Sequence, residues 1–309
     1  MTENSYETQS ATRYPVVGAG LGLRRGLLHE LAQTTTSDFD FLELAPENWI
    51  GVGGRFGKQF RSYAERFPLV CHGLSLSIGS PAALDMDFLG QVRAFLDRYD
   101  VRCYSEHLSY CGDEGHLYDL MPIPFTEAAV RYVADRVKQV QDVLERRIVL
   151  EHVSAYVAQS DELSEIEFVN AVVAESDCDL LIDVNNVFVN ATNFGFDAFD
   201  YISRLPSDRI AYGHIAGHFE EAEDLLVDTH GSPIIEGVWE LLDHAYAEHG
   251  VFPTLLERDF NFPGLPALKM EVERIRGAQR RAATLPAKPL PERDVQVYRG
   301  REVENVSAG

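Results

Sequence analysis

Eight short apolar runs, each followed by a stretch of helical period, constrain this chain more than any other feature. They are "PVVGAGLGL" (15–23), "FDFLEL" (39–44), "PLVCHG" (68–73), "VRCYSEHLS" (101–109), "RIVLEHVS" (147–154), "CDLLIDVNN" (178–186), "RIAYGHI" (209–215) and "FPTLLERD" (252–259). Most are continuous rather than alternating, the pattern of strands covered on both faces. Helices are predicted between them at 25–33, 55–67, 85–99, 125–145, 162–176, 197–205 and 236–249, with a last one near 266–282. In the fourth, Val130, Val133, Val137, Val140 and Val143 or Leu144 recur at steps of three and four and line one side. Eight strand–helix units over roughly 270 residues predict an α/β fold, a (β/α)8 TIM barrel. A doubly wound open sheet is the competing architecture. It usually needs fewer strands, and the dinucleotide loop GxGxxG is missing: Gly18 and Gly20 fit its first two places, but Leu23 stands in the third.

The barrel is expected to span 15–282, after a loosely ordered arm at 1–14 and before a flexible tail at 283–309. No run reaches the 18 apolar residues of a membrane span, and "MTENSYETQS" has the character of neither a secretory signal nor a transit peptide. The expected location is the cytoplasm. The four cysteines, Cys71, Cys103, Cys111 and Cys178, show no CxxC or zinc-finger spacing and read as reduced, mostly buried thiols. A net charge of -22 argues against nucleic acid and anionic lipid as partners. The acid-rich, lysine-poor composition points to a halophile-like surface.

Chemistry-bearing residues collect at the strand ends. His72 ends the third run, Glu106 and His107 lie in the fourth, and Glu151 and His152 in the fifth. Asp183 and Asn185 lie in the sixth, His214 in the seventh, and Glu257 and Asp259 in the eighth. In a barrel these ends converge on one mouth, where such enzymes place their chemistry. Strand period puts Asp183 with Asn185 on one face and Glu257 with Asp259 on one face, Arg258 opposite. For the adjacent pairs, His107 and Glu151 are the favoured inward members, giving a mixed imidazole–carboxylate centre; Glu106 and His152 are left as groups that orient a ligand from behind. His72, His107, Glu151, Asp183, His214 and Glu257 are hard or borderline donors, suited to iron, manganese, zinc or magnesium. Six exceed the needs of one ion, and Glu151 is the natural bridge between two, about 3.5–4 Å apart.

Long loops are expected at 45–57, 111–126 and 217–234 on the same face. In the last, "VDTHG" offers Asp228 and His230, which with Asn185 could hold a third ion; His218 could join them or contact substrate. Glu47 and Asn48 of "PENW" read equally as substrate contacts or turn caps, and His116 as a substrate contact. His29, His244 and His249, on predicted helices, read as surface groups. Gly213 and Gly217 read as room for metal and substrate.

"ELAPENW", "CHGLSLSIGS", "SEHLSY", "LEHVSAY", "LLIDVNNVFVNATNFGFD", "YGHIAGH", "VDTHGSPI" and "LLERDFNFP" together resemble the multinuclear non-haem iron enzymes of the methanobactin-biosynthesis type, MbnB, over about residues 15–280. The resemblance implies a xylose-isomerase-like TIM barrel binding two or three iron ions of mixed ferrous and ferric state. It implies O2 as cosubstrate and cysteine in a ribosomally made precursor peptide as the target. Products in the family are oxazolone with thioamide, thiooxazole, or cysteine that has lost its β-carbon, and a partner protein commonly presents the peptide. Carried over by motif, one iron takes His72, His107 and Glu151. A second takes Glu151, Asp183, His214 and Glu257, and a third Asn185, Asp228 and His230.

Other classes fit the same barrel. A divalent-metal sugar isomerase would want a base or lysine near the substrate hydroxyls, and no lysine lies at a predicted strand end. A metal-dependent phosphodiesterase acting on DNA is opposed by the charge. A non-catalytic peptide-binding protein would tolerate loss of the ligand set, which is intact here.

Overall fold

The computed structural model describes residues 13–112, 116–157, 162–286, 290 and 295–299. Eight parallel strands close into a barrel: β1 (Ala19–Gly22), β2 (Leu42–Leu44), β3 (Leu69–His72), β4 (Tyr104–His107), β5 (Val149–Glu151), β6 (Asp179–Asp183), β7 (Ile210–Ile215) and β8 (Thr254–Leu256). Each pairs with its neighbours in chain order, and β1 closes on β8. The helices are α1 (Gly54–Ala64), α2 (Met86–Arg98), α3 (Glu127–Leu144), α4 (Glu165–Ser176), α5 (Val184–Phe194), α6 (Ala198–Ser203), α7 (Glu236–His249) and α8 (Leu265–Ala282). Local chemistry sets their ends. Thr126 caps α3 by accepting from Ala129 N, and a Ser164–Glu167 capping box starts α4.

Three expectations change. The helix predicted at 25–33 is two 3-10 turns, Arg25–Leu27 and Glu30–Gln33. The expected loops at 111–126 and 217–234 carry antiparallel hairpins, Ser109–Gly112 with His116–Pro122 and Phe219–Ala222 with Leu225–Val227. The run 178–186 is not one strand. It ends at Asp183, whose Oδ1 accepts from Asn185 N (2.6 Å) and Asn186 N (2.9 Å) and so caps α5. Asn185 therefore lies in a helical first turn, where period two does not apply, and Gly195 ends α5 in the left-handed region.

Buried apolar residues form two layers. The larger fills the space between strands and helices. The smaller lies inside the barrel and includes Val16, Phe41, Val70, Cys103, Val149, Leu181, Tyr212 and Leu255. β1 contributes glycine here: a Cβ on Gly20 would stand 2.6 Å from the Phe41 ring, which takes the space instead. Within the segment expected as a tail, Val295–Tyr298 form a 3-10 turn with Tyr298 fully buried against this inner layer. Its hydroxyl donates to Asp179 Oδ2 (2.8 Å), and Arg147 N donates to Val297 O (2.7 Å). Of the expected N-terminal arm, Arg13 and Tyr14 are described, and Tyr14 is buried.

Candidate metal centre at the barrel mouth

Alternation along each strand turns every second residue inward. Above the apolar inner layer of Phe41, Val70, Cys103, Val149, Leu181 and Leu255 come Glu43, Ser105 and Tyr212. Above these stand His72, His107, Glu151, Asp183, His214 and Glu257. Register brings them level, His107 opposite Glu151 and Asp183 opposite His214. Glu106 and His152 point the other way. Glu106 Oε1 accepts from Tyr104 OH and Leu76 N (both 3.0 Å), and the His152 ring lies against Tyr201 of α6.

His72, His107 and Glu151 form one converging donor set. The two Nε2 atoms are 3.0 Å apart and lie 3.0 and 3.4 Å from Glu151 Oε2. The far nitrogens are engaged: His107 Nδ1 donates to Gly73 O (3.0 Å), and His72 Nδ1 lies 2.7 Å from Ser105 Oγ. Both lone pairs then face one point, an arrangement that a cation satisfies. Burial works against a charged His107 ring, but the Glu106 contact and the charges of Glu151, Glu106 and Glu257 lift it to about 9.

Glu151 also belongs to a second set with Asp183, His214 and Glu257, all buried. His214 Nδ1 is 2.8 Å from Glu257 Oε2, 3.5 Å from Glu151 Oε1 and 3.9 Å from Asp183 Oδ2. Neither His214 Nδ1 nor Asp183 Oδ2 finds a hydrogen-bond partner, although both are buried. Orphaned polar atoms of this kind are costly unless something else completes them, and their convergence fits a metal ion. The charges agree. Burial opposes it, yet Glu43 and Glu257 hold His214 well above the usual histidine range. Burial, then Glu151, pushes Asp183 up to about 7.

A third set is His230, Glu257 and Asp259, with His230 Nδ1 3.5 Å from Glu257 Oε2 and 3.1 Å from Asp259 Oδ2. Of the trio expected from sequence, His230 Nε2 is 2.7 Å from Asp228 Oδ1, to which Asn185 Nδ2 donates (2.8 Å). Asn185 Oδ1 in turn lies 2.7 Å from His218 Nδ1, so the three expected groups are adjacent and His218 backs them. Arg24 is a cation already in place: its Nη2 reaches Glu257 Oε1 (2.8 Å) and its Nε reaches Asp259 Oδ1 (2.6 Å).

His72, His107, Glu151, Asp228, His230, Glu257 and Asp259 line a cavity of about 410 Å³, and Asp183 and His214 lie buried outside its lining. Leu74, Trp49 and Tyr156 flank it, with Arg24, Arg25 and Asn48 on one side and Ser154 and Asn186 on another. Glu47 is not among the lining residues. Its Oε1 accepts from Leu74 N (2.8 Å) and Ser75 N (3.0 Å), pinning the loop after β3, and burial with Glu106 lifts it to about 7. His116 pairs with Gly112 through its backbone, and its side chain lies outside the described residues. All four cysteines are buried, and none lines the cavity. His249, read as a surface group, is buried: its ring nitrogens meet Ser207 Oγ (2.7 Å) and Ile202 O (2.8 Å). Gly213 and Gly217 do not make room at the mouth. A Cβ on Gly213 would strike Phe252, and one on Gly217 the carbonyls of Ser232 and Pro233.

Sequence reasoning missed Glu43, Ser105, Tyr212, Arg24, Asn186 and Ser154. Period two from His214 and His107 points to Tyr212 and Ser105. A carboxylate inside the apolar run 39–44 marks Glu43, which meets His214 Nε2 (2.9 Å) across the barrel.

Comparison with known proteins identifies relatives of the chain. A family model described as "RiPP precursor modification enzyme MbnB/TglH/ChrH" matches residues 18–280. A UPF0276 protein of Pseudomonas aeruginosa is 59% identical over 267 residues, covering 86% of this chain and 94% of the relative. One from Shewanella oneidensis is 58% identical over 263 residues, covering 85% and 94%. Among solved structures, the 3-keto-D-glucoside 4-epimerase YcjR from E. coli aligns with TM-score 0.56 at 13% identity, covering 84% of this chain and 99% of that one. Endonuclease IV from Thermus thermophilus aligns with TM-score 0.54 at 15% identity, covering 86% and 99%. At such identities these structures share the barrel alone.

Proposed function

The chain belongs to the MbnB/TglH/ChrH family of RiPP precursor modification enzymes, and from that premise we propose that it is a multinuclear iron enzyme using O2 to modify cysteine oxidatively in a ribosomally made peptide. The observation that carries the reading is Glu151, shared by two converging donor sets that contain no thiolate. Imidazole and carboxylate donors suit non-haem iron, and a shared carboxylate suits a pair of ions. Iron held there supplies a Lewis acid for the substrate thiolate and one-electron chemistry with oxygen.

The protein's own contribution is placement. His72 and His107 present fixed lone pairs from the closed side, which leaves the cavity side for the peptide. Leu74, Trp49 and Tyr156 narrow that side and limit water around the cysteine β-carbon. Arg24 neutralises one oxygen of Glu257 and so keeps the other directed inward. The family's products, oxazolone with thioamide, thiooxazole or β-carbon loss, differ in how the backbone beside the cysteine is held. A partner protein that presents the peptide belongs to the same reading.

The test is anaerobic purification, metal counting, and incubation with cysteine-containing peptides and O2 under mass spectrometry. Two or three irons per chain and an oxygen-dependent mass change support the proposal. A protein that holds only zinc and leaves every peptide unchanged refutes it.

A further inference from the structure

Beneath the mouth, a buried chain of polar groups joins the two core donor sets from behind. Glu43 Oε2 lies 2.9 Å from His214 Nε2 and accepts from Tyr212 OH at 2.8 Å. Tyr212 OH is 2.6 Å from Ser105 Oγ, and Ser105 Oγ is 2.7 Å from His72 Nδ1. Glu43, Tyr212, Ser105 and His214 are fully buried, and His72 nearly so. These groups come from β2, β7, β4 and β3, so only closure of the barrel assembles them.

With Glu43 ionised, the ring hydrogens of both histidines can be placed. An ionised carboxylate only accepts. Tyr212 has one hydroxyl proton and spends it on Glu43, so Ser105 spends its own on Tyr212 OH (2.6 Å) or on the Cys71 carbonyl (3.2 Å). Ser105 has then spent its own proton and must accept from His72 Nδ1–H. On the other side, His214 Nε2–H donates to the same Glu43 oxygen. His72 is therefore left with its lone pair on Nε2 and His214 with its lone pair on Nδ1, the two atoms that face the donor sets.

We infer that Glu43 is the positioning residue for both core ion sites, acting on His214 directly and on His72 through Tyr212 and Ser105. The two sites are thereby unequal: His214 is polarised by a carboxylate, the stronger partner, and His72 by a hydroxyl. This rests on the metal-centre reading above and not on the oxygen chemistry.

The experiment uses zinc, so that it stands apart from iron and oxygen. Full-length protein is stripped with chelator and titrated with Zn(II) against a chromophoric competitor, and ring-nitrogen tautomers are read by long-range 1H–15N NMR on the zinc-loaded form. Expected in the wild type are protons on His72 Nδ1 and His214 Nε2. E43Q should weaken both zinc equivalents, the one at His214 about 10–100-fold and the one at His72 less, whereas S105A should weaken the one at His72 about 10-fold and leave the other within a few-fold. Y212F, which touches neither histidine's ligand atom, should keep both equivalents yet shift the 15N resonances of His72 and His214 together. Circular dichroism checks that each variant folds; Y212F and S105A are near-isosteric and carry the test if E43Q does not fold. The inference falls if either histidine carries its proton on the mouth-facing nitrogen, or if Y212F shifts neither ring. Loading with these tautomers, joined to peptides that stay unmodified under iron and O2, would refute the catalytic proposal alone. A chain that binds no zinc would refute both.

Discussion

Glu151→Gln tests the centre most sharply, because one side chain serves two sites. Glu151 Oε2 lies 3.0 and 3.4 Å from the His72 and His107 nitrogens, and Oε1 lies 3.5 Å from His214 Nδ1. Glutamine keeps the volume and the Oε1 contact with Asn186 Nδ2 (3.5 Å) while removing the charge and one ligand oxygen. No cavity is made, so loss of metal is separated from loss of packing. With free metal at 100 times Kd, each bound ion stabilises the fold by about 2.7 kcal/mol, so two contribute about 5 kcal/mol. For a domain of this size that corresponds to a Tm difference on the order of 10 °C between loaded and chelator-stripped wild type. E151Q should lose both core ions, and stripping it should move Tm by about 10 °C less than stripping the wild type. Metal analysis by mass spectrometry and differential scanning calorimetry read the two quantities. E151Q that keeps two ions per chain, or loses only one, would refute the bridging assignment.

Other perturbations separate the remaining parts. Asp228→Asn removes charge beside His230 Nε2 but touches neither core set, so metal analysis should show both core ions kept and at most the third lost. Loss of a core ion would count against a separate third site. Tyr298→Ala should cost about 3–5 kcal/mol in chemical denaturation by emptying a fully buried aromatic position and removing a donor to Asp179; a cost below about 1 kcal/mol would mean that the segment does not stay docked in solution. Burial lifts Glu165 from 4.5 to about 7, against the pull of Tyr201 and Asn190. The folded state then binds the extra proton between those values, so its contribution is present below pH 4.5 and lost as pH rises to about 7. Glu165→Gln should flatten that fall in stripped protein, and an unchanged slope in denaturation midpoints would refute the assignment.

Legibility followed the range of the interactions. α3 could be read closely because its valine stripe and its Thr126 cap lie within one turn of the residues they organise. The break after Asp183 was written locally too, as an Asp with free backbone donors two and three residues on, but "CDLLIDVNN" carries an apolar run that masks it. Around "SEHL" and "VLEH", period two states only that neighbours face opposite ways. The choice between Glu106 and His107, or Glu151 and His152, rests on which side of the strand becomes the inside. His249 misled for a similar reason: a histidine at a helix end looks exposed until Ser207 and the Ile202 carbonyl are seen to meet it.

By itself the sequence determined the number and order of the barrel strands, and it put most of the hard donors at their ends. Both follow from covalent order and local periodicity. Tertiary structure alone decided that Glu43 of β2 stands behind His214 of β7, that Arg24 from the end of β1 holds Glu257 and Asp259, and that Tyr298 docks at Asp179. Such pairs are 119 to 235 residues apart and leave no periodic trace. Closing the barrel brings them together, and burial then makes an unpaired charge costly enough that each partner is required.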